Sequence, residues 1–387
     1  MSAADRSAKD ILAALVAFDT TSIKTNVPMA EWIRDYLTGH GNDSQMIPSA
    51  DGNHTSLFAT IGPAGVAGVG LSGHMDVVPV TGQKWDTDPF SMVERDGRLY
   101  GRGTSDMKGY LACVLAAVPE FKRRKLKVPV HIVFSYDEEV GCTGVRPMIA
   151  EMGERLTRPR MVFVGEPTSM TVVDAHKGGV RWRVEIAGRP AHSSTPDLGV
   201  NTITTATRLL GELGRIEQEL KARPNPRFNP PYSTLAVTRI AGGNATNIIP
   251  ADCWFDFEIR RLPGIDIDDY ETRIKRFAET ELLPEMRRIA PEANITIQRT
   301  QSGIPPFEAD AGSEVVALAF KLARQNETFA VSYGTEASLF HEGGAPAVVC
   351  GPGDIAQAHT ANEWIDIREL DKCMAFMRRL ADWCEAG

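Results

Sequence analysis

The stretch Gly68-Val69-Gly70-Leu71-Ser72-Gly73-His74-Met75-Asp76 joins a short apolar run to a histidine set between small residues and an aspartate. A run of this length reads as a buried strand, here over residues 66–72. The same grammar recurs at 128–135, which precedes Glu138 and Glu139, and at 160–164, which precedes Glu166. Open α/β sheets bind ligands just past the carboxyl ends of their strands, so residues far apart in sequence can converge there. His74, Glu138, Glu139 and Glu166 are placed to do so.

Helical periodicity at residues 8–18, 29–37, 109–121 and 145–152 alternates with these strands, which is α/β order. From Gly178 the texture changes. The alternating segment Val180-Arg181-Trp182-Arg183-Val184-Glu185-Ile186 suggests a half-exposed strand in a different sheet. Helices at 200–220 and 267–283 and strands at 233–240 and 253–260 complete a small α+β layer, with the proline-rich stretch 224–231 as an internal loop. After Gln301 the α/β pattern returns, with a helix at 313–324, a strand at 347–350 and a closing helix at 367–385. The expectation is an inserted domain: 1–177 and 291–387 form one α/β catalytic domain, and 178–290 a second.

The 387 residues, 43% of them apolar, suffice for roughly two domains. A net charge of −8 argues against a nucleic-acid partner, since phosphate affinity comes from clustered Lys and Arg. The basic run 122–125 reads as a solvated helix end. Residues 1–10 lack the apolar core of a secretory signal, and no run approaches membrane-spanning length. Six scattered cysteines, at 113, 142, 253, 350, 373 and 384, suit reduced thiols and a cytoplasmic location.

The chemistry-bearing residues are His74, Asp106, Glu138, Glu139, Glu166 and His359. Oxygen and nitrogen donors without thiolate suit zinc, cobalt or manganese, and two such ions about 3.5 to 4 Å apart can share a carboxylate. Two dications carry +4, and Asp106, Glu139 and Glu166 offset −3 of it. Adjacent residues on extended backbone point opposite ways, which makes Glu139 a ligand and Glu138 the general base. Asp76 is positioned to take the second N–H of a metal-bound His74 imidazole. The stretch Gly101-Arg102-Gly103-Thr104-Ser105-Asp106-Met107-Lys108-Gly109 fits neither a dinucleotide fingerprint nor a phosphate loop, and its glycines read as a sharp turn delivering Asp106. His192, Asn247 and Arg260 read by themselves as loop or surface residues.

Over nearly its whole length the chain resembles the M20 metallopeptidase family. The resemblance is carried by residues 72–79, Trp85, 88–90, 96–103, 105–109, Asp137-Glu138-Glu139 and Gly165-Glu166-Pro167-Thr168. It narrows toward the family's N-acetyl-amino-acid deacetylases through residues 175–178, 333–337 and 349–353 leading to Gln357-Ala358-His359. The resemblance implies a dinuclear metallohydrolase domain with an inserted α+β lid that also makes a homodimer. It implies one ion on His74, Asp106 and Glu166, a second on Asp106, Glu139 and His359, and a cis peptide at Asp106-Met107. His192 would donate to the oxyanion from the lid, from the partner subunit, while Asn247 and Arg260 would hold a substrate carboxylate. The implied reaction removes the acetyl group from N2-acetyl-L-ornithine, a small-molecule N-acyl amino acid. The neighbouring alternatives are succinyl-diaminopimelate desuccinylation, carboxypeptidase, dipeptidase or aminoacylase chemistry, and the alternative of another class is a non-catalytic binding protein. The chain departs from the family pattern at Met75, Ser338 and Thr360-Ala361, none a candidate ligand.

Overall fold

The computed structural model describes residues 5–387. Residues 1–4, where the segment read for a signal and the expected first domain both begin, lie outside the described residues. The strands run in chain order β1 (Ser44–Pro48), β2 (Thr55–Ile61), β3 (Val69–His74), β4 (Val93–Arg95), β5 (Arg98–Tyr100), β6 (Val130–Ser135), β7 (Met161–Pro167) and β8 (Val173–His176). Then come β9 (Gly178–Ala187), β10 (Thr234–Gly242), β11 (Asp252–Arg261) and β12 (Asn294–Arg299). The last four are β13 (Phe307–Glu308), β14 (Phe329–Val331), β15 (Ala347–Gly351) and β16 (Trp364–Asp366).

The chain divides into two compact units: residues 5–175, 307–330 and 335–387, and residues 176–306 with 331–334. The first is built on a sheet of order β1-β2-β6-β3-β7-β15-β8-β13, with β14 paired to β8. Its centre is parallel: β3 lies between β6 and β7, and β15 runs parallel to β7. The strands β3, β6, β7 and β15 are buried along their whole length, which is why they read as unbroken apolar runs rather than alternating ones. The helix Lys108–Arg123 packs on this sheet with Leu111, Val114, Leu115 and Val118 fully buried, each worth about 1.5–3 kcal/mol.

The second unit is a four-stranded antiparallel sheet of order β10-β11-β9-β12. In β9 burial alternates strictly, with Val180, Trp182, Val184 and Ile186 inward and arginine or glutamate between. The expected boundary at 290 falls short, because β12 pairs with β9 and so carries this unit on to residue 306. The expected single helix 267–283 is instead a helix Ile267–Phe277, a π turn Ala278–Leu282 and a helix Leu283–Ile289. Pro284 has no N–H to continue the ladder, which accounts for the break. The six cysteines are all free and buried. Among the described residues no helix is long and apolar enough to cross a membrane.

Candidate metal centre

His74 is the last residue of β3, rather than lying beyond it. The preceding glycine is tightly packed: a Cβ on Gly73 would come within 2.6 Å of the Met107 methyl and 2.7 Å of a Leu111 methyl, so a larger residue there requires those buried side chains to shift. The imidazole is buried, and its Nδ1 lies 2.9 Å from the Asp76 main-chain oxygen. A carbonyl only accepts, so Nδ1 carries the hydrogen of the neutral ring and Nε2 is left as a lone pair. That Nε2 faces Asp106 Oδ1 at 3.2 Å and Glu166 Oε1 at 3.8 Å.

Asp106 closes the glycine-rich turn, where Gly103 adopts φ 84° and a Cβ would come within 2.9 Å of Val77. The Asp106-Met107 peptide is cis. The carboxylate presents Oδ1 to His74 and its other oxygen, Oδ2, to His359 Nε2 at 3.3 Å. His359 sits on left-handed backbone at φ 61°, and its Nε2 also contacts Glu139 Oε2 at 2.9 Å. Two imidazoles therefore lie on opposite oxygens of one carboxylate.

Glu138 and Glu139 follow β6 through a turn in which Asp137 takes φ 54°. Ligand atoms of His74, Asp106 and Glu139 all lie within 4.8 Å of one another, as do those of His74, Glu138 and Glu166. Glu166 lies within β7 rather than past it, since the β15 pairing carries that ladder on to Pro167. Among the described residues the ion-pair partners of Asp106, Glu139 and Glu166 are His74 and His359 alone.

Burial pushes the Glu138 carboxyl up to about 8 and Glu139 up to about 7, with neighbouring carboxylates adding to the rise. Glu166 is raised well above its ordinary value by burial and by Asp106. Hydrogen bonding to Asp106 and Glu139 lifts His359 to about 10. Burial opposes ionisation of Asp106, yet its contacts with His359 and His74 hold it well below the usual carboxylate range. Four carboxyl groups converging on two imidazoles form an acidic oxygen and nitrogen donor set, the chemistry that suits a pair of hard or borderline divalent cations.

Asp76 does more than expected. Its carboxylate stands 3.4 Å from His74 Nδ1, farther than its own main-chain oxygen, and accepts hydrogen bonds from Glu138 N at 3.1 Å, Glu139 N at 3.3 Å and Ser22 Oγ at 2.7 Å. It therefore holds the whole Glu138-Glu139 turn. Two buried acids escaped the sequence reading. Glu336 accepts from Ser135 Oγ at 2.6 Å and Ser72 Oγ at 3.2 Å, and burial pushes it up to about 7. Glu363 collects the amides that precede Asp106. Glu336 lies in the stretch 333–337 that narrows the resemblance and Glu363 four residues past His359, but sequence alone assigns neither a role.

The remaining candidates belong to the second unit. His192 is exposed on a loop bridged to Ile248, and Ser193 N donates to Asn247 O at 3.0 Å. Ser194 N donates to His192 Nδ1 at 3.2 Å, which leaves Nε2 to carry the hydrogen of the neutral ring. Asn247 is exposed, and Arg260 is half-buried on β11 with Glu258 at 3.2 Å.

The profile of Peptidase family M20/M25/M40 matches residues 70–383. The chain is 38% identical over 382 residues, 96% of each chain, to a protein named acetylornithine deacetylase from Myxococcus xanthus. In structure it is similar to an M20 family metallo-carboxypeptidase from Sulfolobus solfataricus, with a TM-score of 0.79 at 18% identity over 99% of this chain and 100% of the other. It is also similar to a dinuclear metal binding peptidase of the M20 family from Bacillus subtilis, with a TM-score of 0.66 at 16% identity over 97% and 96%.

Proposed function

Because the chain belongs to peptidase family M20/M25/M40, a family of metal-dependent hydrolases, we propose that it removes the acetyl group from N2-acetyl-L-ornithine, giving L-ornithine and acetate, a step of arginine biosynthesis. The observation that carries the chemistry is Asp106 with one imidazole on each oxygen and Glu138 alongside. The choice of substrate rests on the 38% identity to a named deacetylase over nearly the full length of both chains.

His74, Asp106 and Glu166 would hold one divalent ion and Asp106, Glu139 and His359 the other, with zinc first and cobalt or manganese as substitutes. When bound, the two ions supply Lewis acidity to the acyl carbonyl and lower the pKa of water. Glu138 takes a proton from the attacking water and returns it to the amine nitrogen as the amide C–N bond breaks. Burial raises the affinity of the Glu138 carboxylate for a proton, which suits a general base. His192 Nε2–H donates to the tetrahedral oxyanion, supplied across a homodimer from the partner subunit's second unit. Asn247 and Arg260 bind the substrate carboxylate, Arg260 exchanging part of its contact with Glu258. The acidic chain with no candidate membrane helix among the described residues acts on a small molecule in the cytoplasm.

Turnover of N2-acetyl-L-ornithine, N-succinyl-diaminopimelate and a dipeptide, compared with and without chelator, tests the reading. The expected result is fastest turnover of the acetylated substrate, abolished by chelator, with Glu138→Gln slower by about two to four powers of ten while metal content is unchanged. Faster turnover of either other substrate refutes the assignment, and near-normal turnover by Glu138→Gln refutes the base.

A further inference from the structure

Behind the metal centre lies a buried ion pair that contacts no candidate substrate group. Arg102 and Glu363 are each 1% exposed, with Arg102 Nη1 2.7 Å from Glu363 Oε2. The same carboxylate accepts from Gly103 N at 3.0 Å, Ser105 N at 2.9 Å and Asp106 N at 3.0 Å, so both oxygens are filled by the turn that ends in Asp106. The Glu363 main-chain oxygen accepts from Gly101 N at 3.0 Å, closing the turn from its other end.

The opposite face of the pair leads to His359. Arg102 Nη2 donates to Gln83 Oε1 at 2.5 Å, and Gln83 Nε2 donates to the His359 main-chain oxygen at 2.9 Å. Trp85 Nε1 fixes the same Gln83 oxygen at 3.1 Å, and the Trp85 ring lies 5.1 Å from the Arg102 guanidinium. Asn362 Oδ1 receives Asp86 N at 2.8 Å. The amide of Asp106 and the carbonyl of His359 thus hang from one continuous chain of hydrogen bonds, Asp106–Glu363–Arg102–Gln83–His359.

The two ion positions differ in how they are otherwise held. His74 and Glu166 stand on β3 and β7, adjacent strands locked by the sheet ladder. His359 stands on an irregular, left-handed segment with a 54% exposed side chain, and nothing in a ladder fixes its distance from Asp106. We infer that Glu363, with Arg102 and Gln83, is a positioning group that sets the separation of Asp106 and His359 and so selectively governs affinity at the ion position those two residues share with Glu139. This rests on the two-ion reading above. A pair serving only to hold the fold would loosen both positions alike.

The test is zinc titrated by calorimetry into metal-stripped wild type, Glu363→Gln and Gln83→Ala, with thermal melts in parallel. Glu363→Gln keeps the shape but gives up the charge that four donors require, and Gln83→Ala, at a half-buried residue, removes the link to His359 and the acceptor of Arg102 Nη2 and Trp85 Nε1 while leaving every Glu363 bond in place. The expected result is two zinc ions per wild-type chain, with one of the two weakened about 10- to 100-fold in Glu363→Gln and about 10-fold in Gln83→Ala, the other within about threefold. If Glu363→Gln does not fold, Gln83→Ala carries the test alone. A single ion per wild-type chain overturns the two-ion reading and this inference with it. Two ions with wild-type affinity in both variants, or equal weakening at both positions, overturn the positioning role alone.

Discussion

Replacing Asp76 with asparagine tests whether one buried carboxylate aims both glutamates. The aspartate is 1% exposed and takes three donors: Glu138 N at 3.1 Å on Oδ1, and Glu139 N at 3.3 Å and Ser22 Oγ at 2.7 Å on Oδ2. An asparagine keeps a single carbonyl oxygen and turns an NH2 toward the other side. The Ser22 hydroxyl can rotate to accept from it, but the Glu139 amide can only donate and is left facing another donor. Leaving that N–H buried and unpaired costs about 1–3 kcal/mol, and losing the negative acceptor weakens the Glu138 bond by about 1 kcal/mol more. The expected total is about 2–4 kcal/mol, read as a lower melting temperature. A turn released to shift by about an ångström misplaces Glu138 against the reacting carbonyl, which costs about 100-fold in kcat with KM within about threefold. Ser22→Ala is the control: it removes one hydroxyl and leaves both amides paired, so activity stays within about fivefold. The reasoning fails if Asp76→Asn retains more than half of wild-type kcat, or if KM rises while kcat holds.

His131 is fully buried between Thr60 Oγ1 at 3.0 Å and Gly68 N at 3.1 Å, and burial lowers its pKa from 6.5 to about 4. A depressed histidine contributes stability in full above pH 6.5 and loses it as pH falls toward 4, so the wild type should lose about 3 kcal/mol across that window and His131→Gln much less. Parallel melts that fall equally steeply for both proteins count against this. Gly165→Ala places a Cβ 2.1 Å from the Tyr110 ring, so the strand carrying Glu166 must shift; a melting temperature and zinc stoichiometry equal to wild type would contradict the packing argument. Mixing His192→Ala with Glu138→Gln protomers is expected to restore partial turnover in heterodimers, and no recovery means that His192 serves its own chain.

The central strands were legible because buried parallel strands leave continuous apolar runs, and the residues at their ends, His74, Glu138 and Glu139, could be picked out by position alone. Glu166 was also picked out, but its place within β7 depends on a pairing with β15 that lies far along the chain. Asp76 was visible as a companion of His74, yet its principal partners are main-chain amides, which carry no sequence signature. The same holds for Glu363, whose donors are the backbone of a glycine-rich turn. The end of the second unit was misplaced because β12 shows a weak pattern, exposed at both ends and half-buried between, as befits an edge strand that closes a sheet on one side only.

The exposure of His359 has a kinetic consequence. The side chains of His74, Asp106, Glu139 and Glu166 are between 1% and 7% exposed, whereas that of His359 is 54% exposed. A loaded centre built on these residues opens to bulk water at one end. Exchange should therefore be ordered: a chelator removes the ion at His359 first, release is biphasic, and a protein stripped for a short time keeps the ion between His74 and Glu166 and loses turnover before it loses its fold.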